Sequence, residues 1–368
     1  MNELEPIRVE LGARSYAVHV GRGNLGTVGA RTRAAAAGAP VALVTNPTVD
    51  ALWGDRVRAS LAEAGVAATT IEIPDGERHK NVATLASLWG RLAEARIERG
   101  GLLLALGGGV VGDVTGFAAA TWLRGVAFAQ VPTTLVAQID AAIGGKTAID
   151  LPAGKNLVGA FHQPGFVLSD VEVLDSLPER EYRAGLAEVV KTGAILSAGL
   201  FERLETESGR VLARDPDLLL DVVHECSRLK ATVVSADETE GDGRAILNFG
   251  HTLGHAVEAL QGYEGILHGE AVSIGMAFAT GMSEGRGFLR PSTGRRVRDL
   301  LRRFGLPTEV PAGLAAAALA RAMEADKKRA AGRVRFVCLE DLGRTRFEAL
   351  STADLEGLVS EHLGKNVG

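Results

Sequence analysis

The chain has 368 residues, enough for two domains of ordinary size, and its 46 % hydrophobic and 23 % charged content is that of a globular protein with ample core. A formal net charge of −5 excludes a global basic field for nucleic acid, and two cysteines, Cys226 and Cys338, exclude a disulfide framework or a CxxC metal pair. The N-terminus MNELEPIRVELG has no apolar signal core, and no run of about 18 apolar residues exists to span a bilayer. The expectation is a cytoplasmic protein without membrane or nucleic-acid partners.

In chain order, residues 6–20 alternate as strands about a turn at Gly12-Ala13-Arg14. Residues 41–45 read as a buried strand, 51–64 as a helix, 68–73 as a strand and 74–77 as a turn. Residues 81–98 have helical spacing, with Leu85, Leu88, Leu92 and Ala95 on one face. A strand over 102–106 leads into a glycine loop and a helix over about 113–121. Strands follow at 127–131 and 167–170. Strands alternating with helices predict a parallel sheet covered on both faces. From Pro178 onward the pattern is helical: 179–206, 213–235, 247–261, 268–287, 293–304, 313–325 and 352–363, with a β element at 334–339. The expected division is an α/β domain over 1–177 and an α-helical domain over 178–368.

Three groups of residues point to chemistry. Gly107-Gly108-Gly109-Val110-Val111-Gly112-Asp113 satisfies GxGxxG between a strand and a helix, where bare backbone N–H groups bind pyrophosphate. It departs from the ordinary dinucleotide arrangement, because it is not the first βα unit and Arg124 lies where an acidic residue is expected. The alternative is a plain glycine turn. The turn Asp75-Gly76-Glu77 with Lys80 offers ribose or nicotinamide contacts, or only a helix start. Gly144-Gly145-Lys146 and Gly154-Lys155-Asn156 bring ammonium groups to tight loops and suggest a second, anionic ligand.

The second group is His251-Thr252-Leu253-Gly254-His255, two imidazoles one helical turn apart. Thr252 stands where a metalloprotease needs glutamate, which excludes that reading. His268 opens the next helix, and Glu188 and Lys191 share a face at i,i+3. A glutamate with two histidines makes a three-ligand site with an open position, the catalytic pattern for zinc. The alternative is helix-capping histidines. The third group is cationic: Arg124, Lys230, Arg244 and Lys327. The chain has eight lysines against many arginines, so each lysine is a candidate for a position needing a compact ammonium.

The motifs GGGVVGD, TWLRG, VPTTLVAQID, GGKTAID, GKNLVGAFHQP, GLAEVVK, RAILNFGHTLGH and LHGEAV stand in this order. The chain therefore resembles the 3-dehydroquinate synthase family of sugar-phosphate cyclases over most of its length, most densely from 74 to 276. The resemblance implies an α/β fold: a Rossmann-like N-terminal domain that binds NAD and an α-helical C-terminal domain with one Zn2+, for which Co2+ can substitute. It implies a homodimer, Glu188, His251 and His268 as metal ligands, and His255 as a proton-transfer residue. NAD would be held by Asp75, Gly76, Glu77 and Lys80, by Gly109, Val110, Val111, Gly112 and Asp113, and by Thr133 and Thr134. Lys146, Lys155 and the segment Val173, Leu174, Asp175, Ser176 would add to that set.

Asp140, Lys146, Asn156, Lys191, Lys230, Arg244, Asn248, His255 and Lys327 would surround the substrate, and Arg124 would reach its phosphate across the dimer interface. Among these, His255, Lys146, Lys191, Asp140, Arg244 and Asn248 are the implied catalytic group. The implied reaction turns 3-deoxy-D-arabino-heptulosonate 7-phosphate into 3-dehydroquinate. It does so by transient oxidation with NAD, loss of phosphate, re-reduction and aldol closure in the shikimate pathway, with domain closure excluding water. The valiolone- and inosose-forming branches differ in the GGGVVGD loop, the GGKT element and after the histidine of HGE, where this chain keeps the dehydroquinate pattern. An aminodehydroquinate synthase and a metal-dependent alcohol dehydrogenase of the glycerol dehydrogenase type are the alternatives, with a non-catalytic NAD sensor as a third. Two positions depart from the family's usual residues: Asp150, commonly Asn, and Asn46, where an acidic residue often meets the adenosine ribose.

Overall fold

A computed structural model of the chain describes residues 2–241, 243–262, 265–326 and 333–365. Two compact units are formed: Met1–Pro178 with Arg214–Thr239, and Glu179–Ala213 with the described part of 240–368.

The first unit is built on an eight-stranded sheet. Its strands are β1 (Asn2–Glu3), β2 (Ile7–Val9), β3 (Tyr16–Arg22), β4 (Val41–Thr45), β5 (Ala68–Glu72), β6 (Leu102–Gly107), β7 (Ala127–Pro132) and β10 (Phe166–Asp170). The order β1-β3-β10-β7-β6-β4-β5 leaves six parallel strands, with β1 and β2 antiparallel on β3. The apolar runs of β4 and β6 are buried on both faces, and the two-residue period divides them between two cores. Ala42, Val44, Leu103 and Ala105 pack with Leu85, Leu88 and Leu92 of the helix Val82–Glu94 and with Phe117. Val41, Leu43, Leu102, Leu104 and Leu106 pack on the other side with Leu25, Val28, Val57 and Leu61. Asn81 starts the helix Val82–Glu94 by accepting from Thr84 N–H through its side chain.

Three expectations change. The helix after β6 begins at Gly109, not near 113, and runs to Thr121. Residues 109–112 are thus its first turn, because Gly108 takes the extended conformation of an N-cap. Of the two glycine-lysine elements, Gly144 and Gly145 do form a turn at positive φ, but the lysines of both lie in strands. These strands make a hairpin, β8 (Lys146–Leu151) and β9 (Gly154–Phe161), paired from Lys146↔Phe161 to Leu151↔Gly154. Short alternating polar runs hid the pairing. Finally, the helix Pro216–Ala236 belongs to the first unit, where it packs on β2, β3 and the turn Ala137–Ala141; periodicity assigns a helix but not the surface it covers.

The second unit is helical except for a second hairpin, β11 (Arg333–Asp341) and β12 (Arg344–Ser351), of which only the first strand was expected. The helices Glu179–Leu196, His251–Leu260 and His268–Gly285 form its centre. Leu253, Val257, Ile274, Phe278 and Met282 pack with Leu319, Met323 and the inward side of β11. Among the described residues no helix is long and apolar enough to cross a membrane.

Candidate active site

In the first unit, the candidate cofactor residues gather at the carboxyl ends of the parallel strands, the edge where open α/β sheets bind ligands. β6 ends at Gly107, whose carbonyl accepts from Thr133 N–H at 3.0 Å, so Thr133 and Thr134 stand beside the glycine turn. No side chain caps the helix Gly109–Thr121, and its first N–H groups are available to an anion. A Cβ at Gly108 would lie 2.9 Å from Thr134 Cγ2, and one at Gly112 would lie 2.5 Å from Gln130 Oε1. The missing Cβ atoms let the turn sit tight against Thr134 and Gln130, and its uncapped N–H groups suit a pyrophosphate. The segment Val173–Ser176 follows β10 at the same edge, with Val173 and Leu174 buried and Asp175 and Ser176 exposed. Only its backbone and last two side chains can face a ligand.

Asn46, at the end of β4, caps Val49 N–H at 2.8 Å and donates through Nδ2 to Asp75 Oδ1 at 3.0 Å. Thr48 Oγ1 donates to the other oxygen at 2.8 Å. The acidic residue expected at position 46 is thus replaced by an amide that holds the Asp75 carboxylate close by. Gly76 has φ +100, open only to glycine at low cost, and turns the chain into Glu77.

Lys80 is 4 % exposed. Its Nζ donates to Asp113 Oδ2 and to Asn156 Oδ1, both at 2.5 Å. Burial alone would lower its pKa, but Asp113 and Glu77 raise it above the ordinary lysine value. A residue of the cofactor set therefore grips one of the substrate set. Asp150 accepts from Asn156 N–H at 2.8 Å, which supports the left-handed turn at Asn156 (φ 55); an asparagine oxygen would accept equally. Lys155 Nζ lies 3.4 Å from Glu77 Oε1. Lys230 forms an ion pair with Asp140 and donates to its backbone carbonyl at 2.8 Å. Lys146 is exposed at the start of β8, and Arg124 is exposed in a turn where Leu123 and Arg124 both have positive φ.

In the second unit, three helices bring Glu188, His251 and His268 together. Their ligand atoms lie within 4.8 Å of one another. Glu188 Oε1 is 3.6 Å from His251 Nε2 and 3.7 Å from His268 Nε2. The carboxylate is 1 % exposed, Oε1 has no hydrogen-bond partner, and Oε2 pairs with Lys191. An orphaned buried carboxylate oxygen facing two imidazoles is costly by itself. A divalent cation with nitrogen and oxygen ligands would satisfy it, and the donor set fits zinc. Burial, with the Lys191 ammonium and the His268 and His255 rings nearby, holds His251 well below the usual imidazole pKa of 6.5. It is neutral at pH 7, as a metal ligand must be.

The helices approach closely because glycine lines the contacts. A Cβ at Gly269 would fall 1.8 Å from Ala184 O, and one at Gly275 would fall 1.8 Å from Gly250 O. His255 is half-buried with its ring centroid 5.4 Å from that of His251. Arg244 is 1 % exposed, and Asn248 Nδ2 donates to Glu240 Oε1 at 3.3 Å. Lys327 lies outside the described residues. Sequence reasoning passed over Glu258, three residues after His255, whose Oε2 is 3.2 Å from His268 Nδ1. Its spacing of three and seven residues from His255 and His251 was the available signal.

Residues 70–184 match the family model described as 3-dehydroquinate synthase N-terminal, and residues 185–329 match the one described as 3-dehydroquinate synthase C-terminal. The 3-dehydroquinate synthase of Pelobacter propionicus is 49 % identical over 337 residues, 92 % of this chain and 94 % of that one. The corresponding protein of Thermodesulfovibrio yellowstonii is 42 % identical over 359 residues, 97 % of this chain and 100 % of that one. Among solved structures, the 2-epi-5-epi-valiolone synthase of Streptomyces hygroscopicus, with NAD+ and Zn2+ bound, superposes with a TM-score of 0.86 at 28 % identity, covering 95 % of this chain and 97 % of that one.

Proposed function

The chain belongs to the 3-dehydroquinate synthase family, and we propose that it converts 3-deoxy-D-arabino-heptulosonate 7-phosphate to 3-dehydroquinate and phosphate in the shikimate pathway, as a cytoplasmic homodimer. The observation that carries the reading is the convergence of Glu188, His251 and His268 on one point, with the Glu188 oxygen unsatisfied. The resemblance supports the dimer.

NAD, when bound, supplies a reversible hydride acceptor, and a zinc or cobalt ion supplies a Lewis acid that acidifies a held hydroxyl. The domain over 1–177 is the proposed cofactor domain and that over 178–368 the proposed metal domain, with Pro216–Ala236 contributing Lys230 to the former unit. The uncapped turn Gly109–Asp113 suits the pyrophosphate, with Asp75–Lys80, Thr133, Thr134, Lys146, Lys155 and Val173–Ser176 as further contacts. In the same unit, Arg124, Lys146, Asn156 and the Asp140–Lys230 pair are suited to an anionic sugar phosphate. Fixed cations stabilise charge on a departing phosphate. In the second unit, Glu188 orients Lys191 by their ion pair. The buried Arg244 and the half-buried Asn248 offer donors, and the half-buried His255 can hold and move a proton beside the metal ligands.

The deciding assay supplies the heptulosonate phosphate with catalytic NAD+ and follows phosphate release and NADH absorbance. The proposal expects phosphate without lasting NADH. Stoichiometric NADH without phosphate would replace it with a simple dehydrogenase. Light scattering should give twice the chain mass; a monomer would remove the dimer.

A further inference from the structure

Behind His268 stands a buried carboxylate with no role in the account above. Glu258 is 2 % exposed. It shares a helix face with His251 and His255, at i+7 and i+3. Its Oε2 lies 3.2 Å from His268 Nδ1, while the opposite edge of that ring presents Nε2 to Glu188 Oε1 at 3.7 Å. An ionised carboxylate only accepts, so an ionised Glu258 would put the proton on Nδ1 and leave the lone pair on Nε2.

His251 solves the same problem without a charge: its Nδ1 faces the Phe249 carbonyl at 3.2 Å. The two rings differ in what else holds them. The His251 side chain is 11 % exposed and packing restrains it, whereas that of His268 is 38 % exposed at the first position of its helix. The more exposed His268 ring has less packing to hold its orientation, and a directional partner adds to that restraint. Burying a carboxylate to this extent costs several kcal/mol unless it is paired. A neutral acceptor would serve a purely structural purpose at lower cost.

We propose that Glu258 is a positioning residue of the metal centre. It fixes the tautomer and ring orientation of His268 and strengthens donation from Nε2 to a divalent cation. Carboxylate partners of this kind commonly tune metal-binding histidines. The inference rests on the assignment of Glu188, His251 and His268 as metal ligands.

The test is Co2+ binding by the full-length, metal-stripped protein, read by chelator competition and by the visible d–d spectrum. The unaltered chain should bind one equivalent, and Glu188→Gln should abolish it. Glu258→Gln keeps shape and removes charge; it should weaken binding about 10–100-fold and shift the d–d bands. Unchanged affinity and spectrum in Glu258→Gln would overturn the inference while leaving the ligand assignment intact. Equal binding by the unaltered chain and Glu188→Gln would instead overturn the ligand assignment. A measurement on the unaltered protein avoids dependence on how the variants fold: long-range 1H–15N spectra of the metal-free form should show His268 as the Nδ1–H tautomer. The Nε2–H tautomer would refute the role given to Glu258.

Discussion

The imidazoles of His251 and His268 stand 5.3 Å apart with their planes at 68°, and both turn Nε2 toward the same Glu188 oxygen. An ion held by these three donors, which come from three different helices, binds the native state and not the unfolded chain, so metal binding stabilises the fold. Zn2+ added to metal-stripped protein at 100 times its Kd should stabilise the second unit by about 2.7 kcal/mol. Differential scanning calorimetry should show the rise, and Glu188→Gln should not respond. That variant should also lose about 10³-fold in kcat/KM, the equivalent of a Lewis acid contribution of several kcal/mol.

Two glycines of one helix should respond oppositely to alanine. A Cβ at Gly269 meets the Ala184 carbonyl, whereas one at Gly281 has nothing within 4 Å. Gly269→Ala should destabilise by about 1–3 kcal/mol and weaken metal binding, because it pushes His268 away from Glu188. Gly281→Ala should stabilise by about 0.4–1 kcal/mol. Urea unfolding of both variants checks the pair; equal effects would count against the close helix contact.

The Lys80 side chain is 5 % exposed and that of Asp113 19 %. Lys80→Met therefore strands a carboxylate, at a cost of about 3 kcal/mol, and should weaken NAD binding. Adding Asp113→Asn to it should recover part of the stability. Denaturant titration and NAD fluorescence quenching on the single and double variants measure both effects.

Acid stability should fall in two steps near the N-terminus. Arg31 Nη2 contacts both oxygens of Glu3, at 2.6 and 2.9 Å, and His19 bridges the pair. Burial, then Arg31, lowers the His19 pKa below 6.5. Burial opposes ionisation of Glu3, but Asn24 and Arg31 prevail and lower its pKa below 4.5. Both folded values are depressed, so each contribution is present above the unfolded pKa and lost as pH falls through the folded one. The His19 contribution starts to fade below pH 6.5, and that of Glu3 below pH 4.5. Melting temperatures between pH 8 and 3 should show both steps in the parent protein. His19→Asn should lack the upper step and Glu3→Gln the lower; a parent profile flat to pH 4 would contradict this assignment.

Much of the site was legible because its chemistry is local in sequence. Glu188 and Lys191 share a turn, as do His251 and His255, and a glycine run after an apolar strand announces a bare helix start. The hairpin β8–β9 was not legible. Its register depends on pairing Lys146 with Phe161 and Ile149 with Val158, and no local periodicity encodes which strand a short polar run will join. The helix Pro216–Ala236 was recognised as a helix but given to the wrong unit, since an amphipathic face does not name its partner.

The sequence by itself determined the α/β and helical halves, the glycine turn at Gly107–Asp113, and which side chains could bind a cofactor, an anion or a metal. Period and residue type carry that information along the chain. Only the tertiary structure decided that Lys80 joins Asp113 to Asn156, that Lys230 belongs with Asp140, and that Glu258 stands behind His268. Those pairings depend on how closely neighbouring elements approach. That distance is set by packing between distant segments, here by a missing Cβ at Gly112 or Gly269, and not by the spacing of residues along either one.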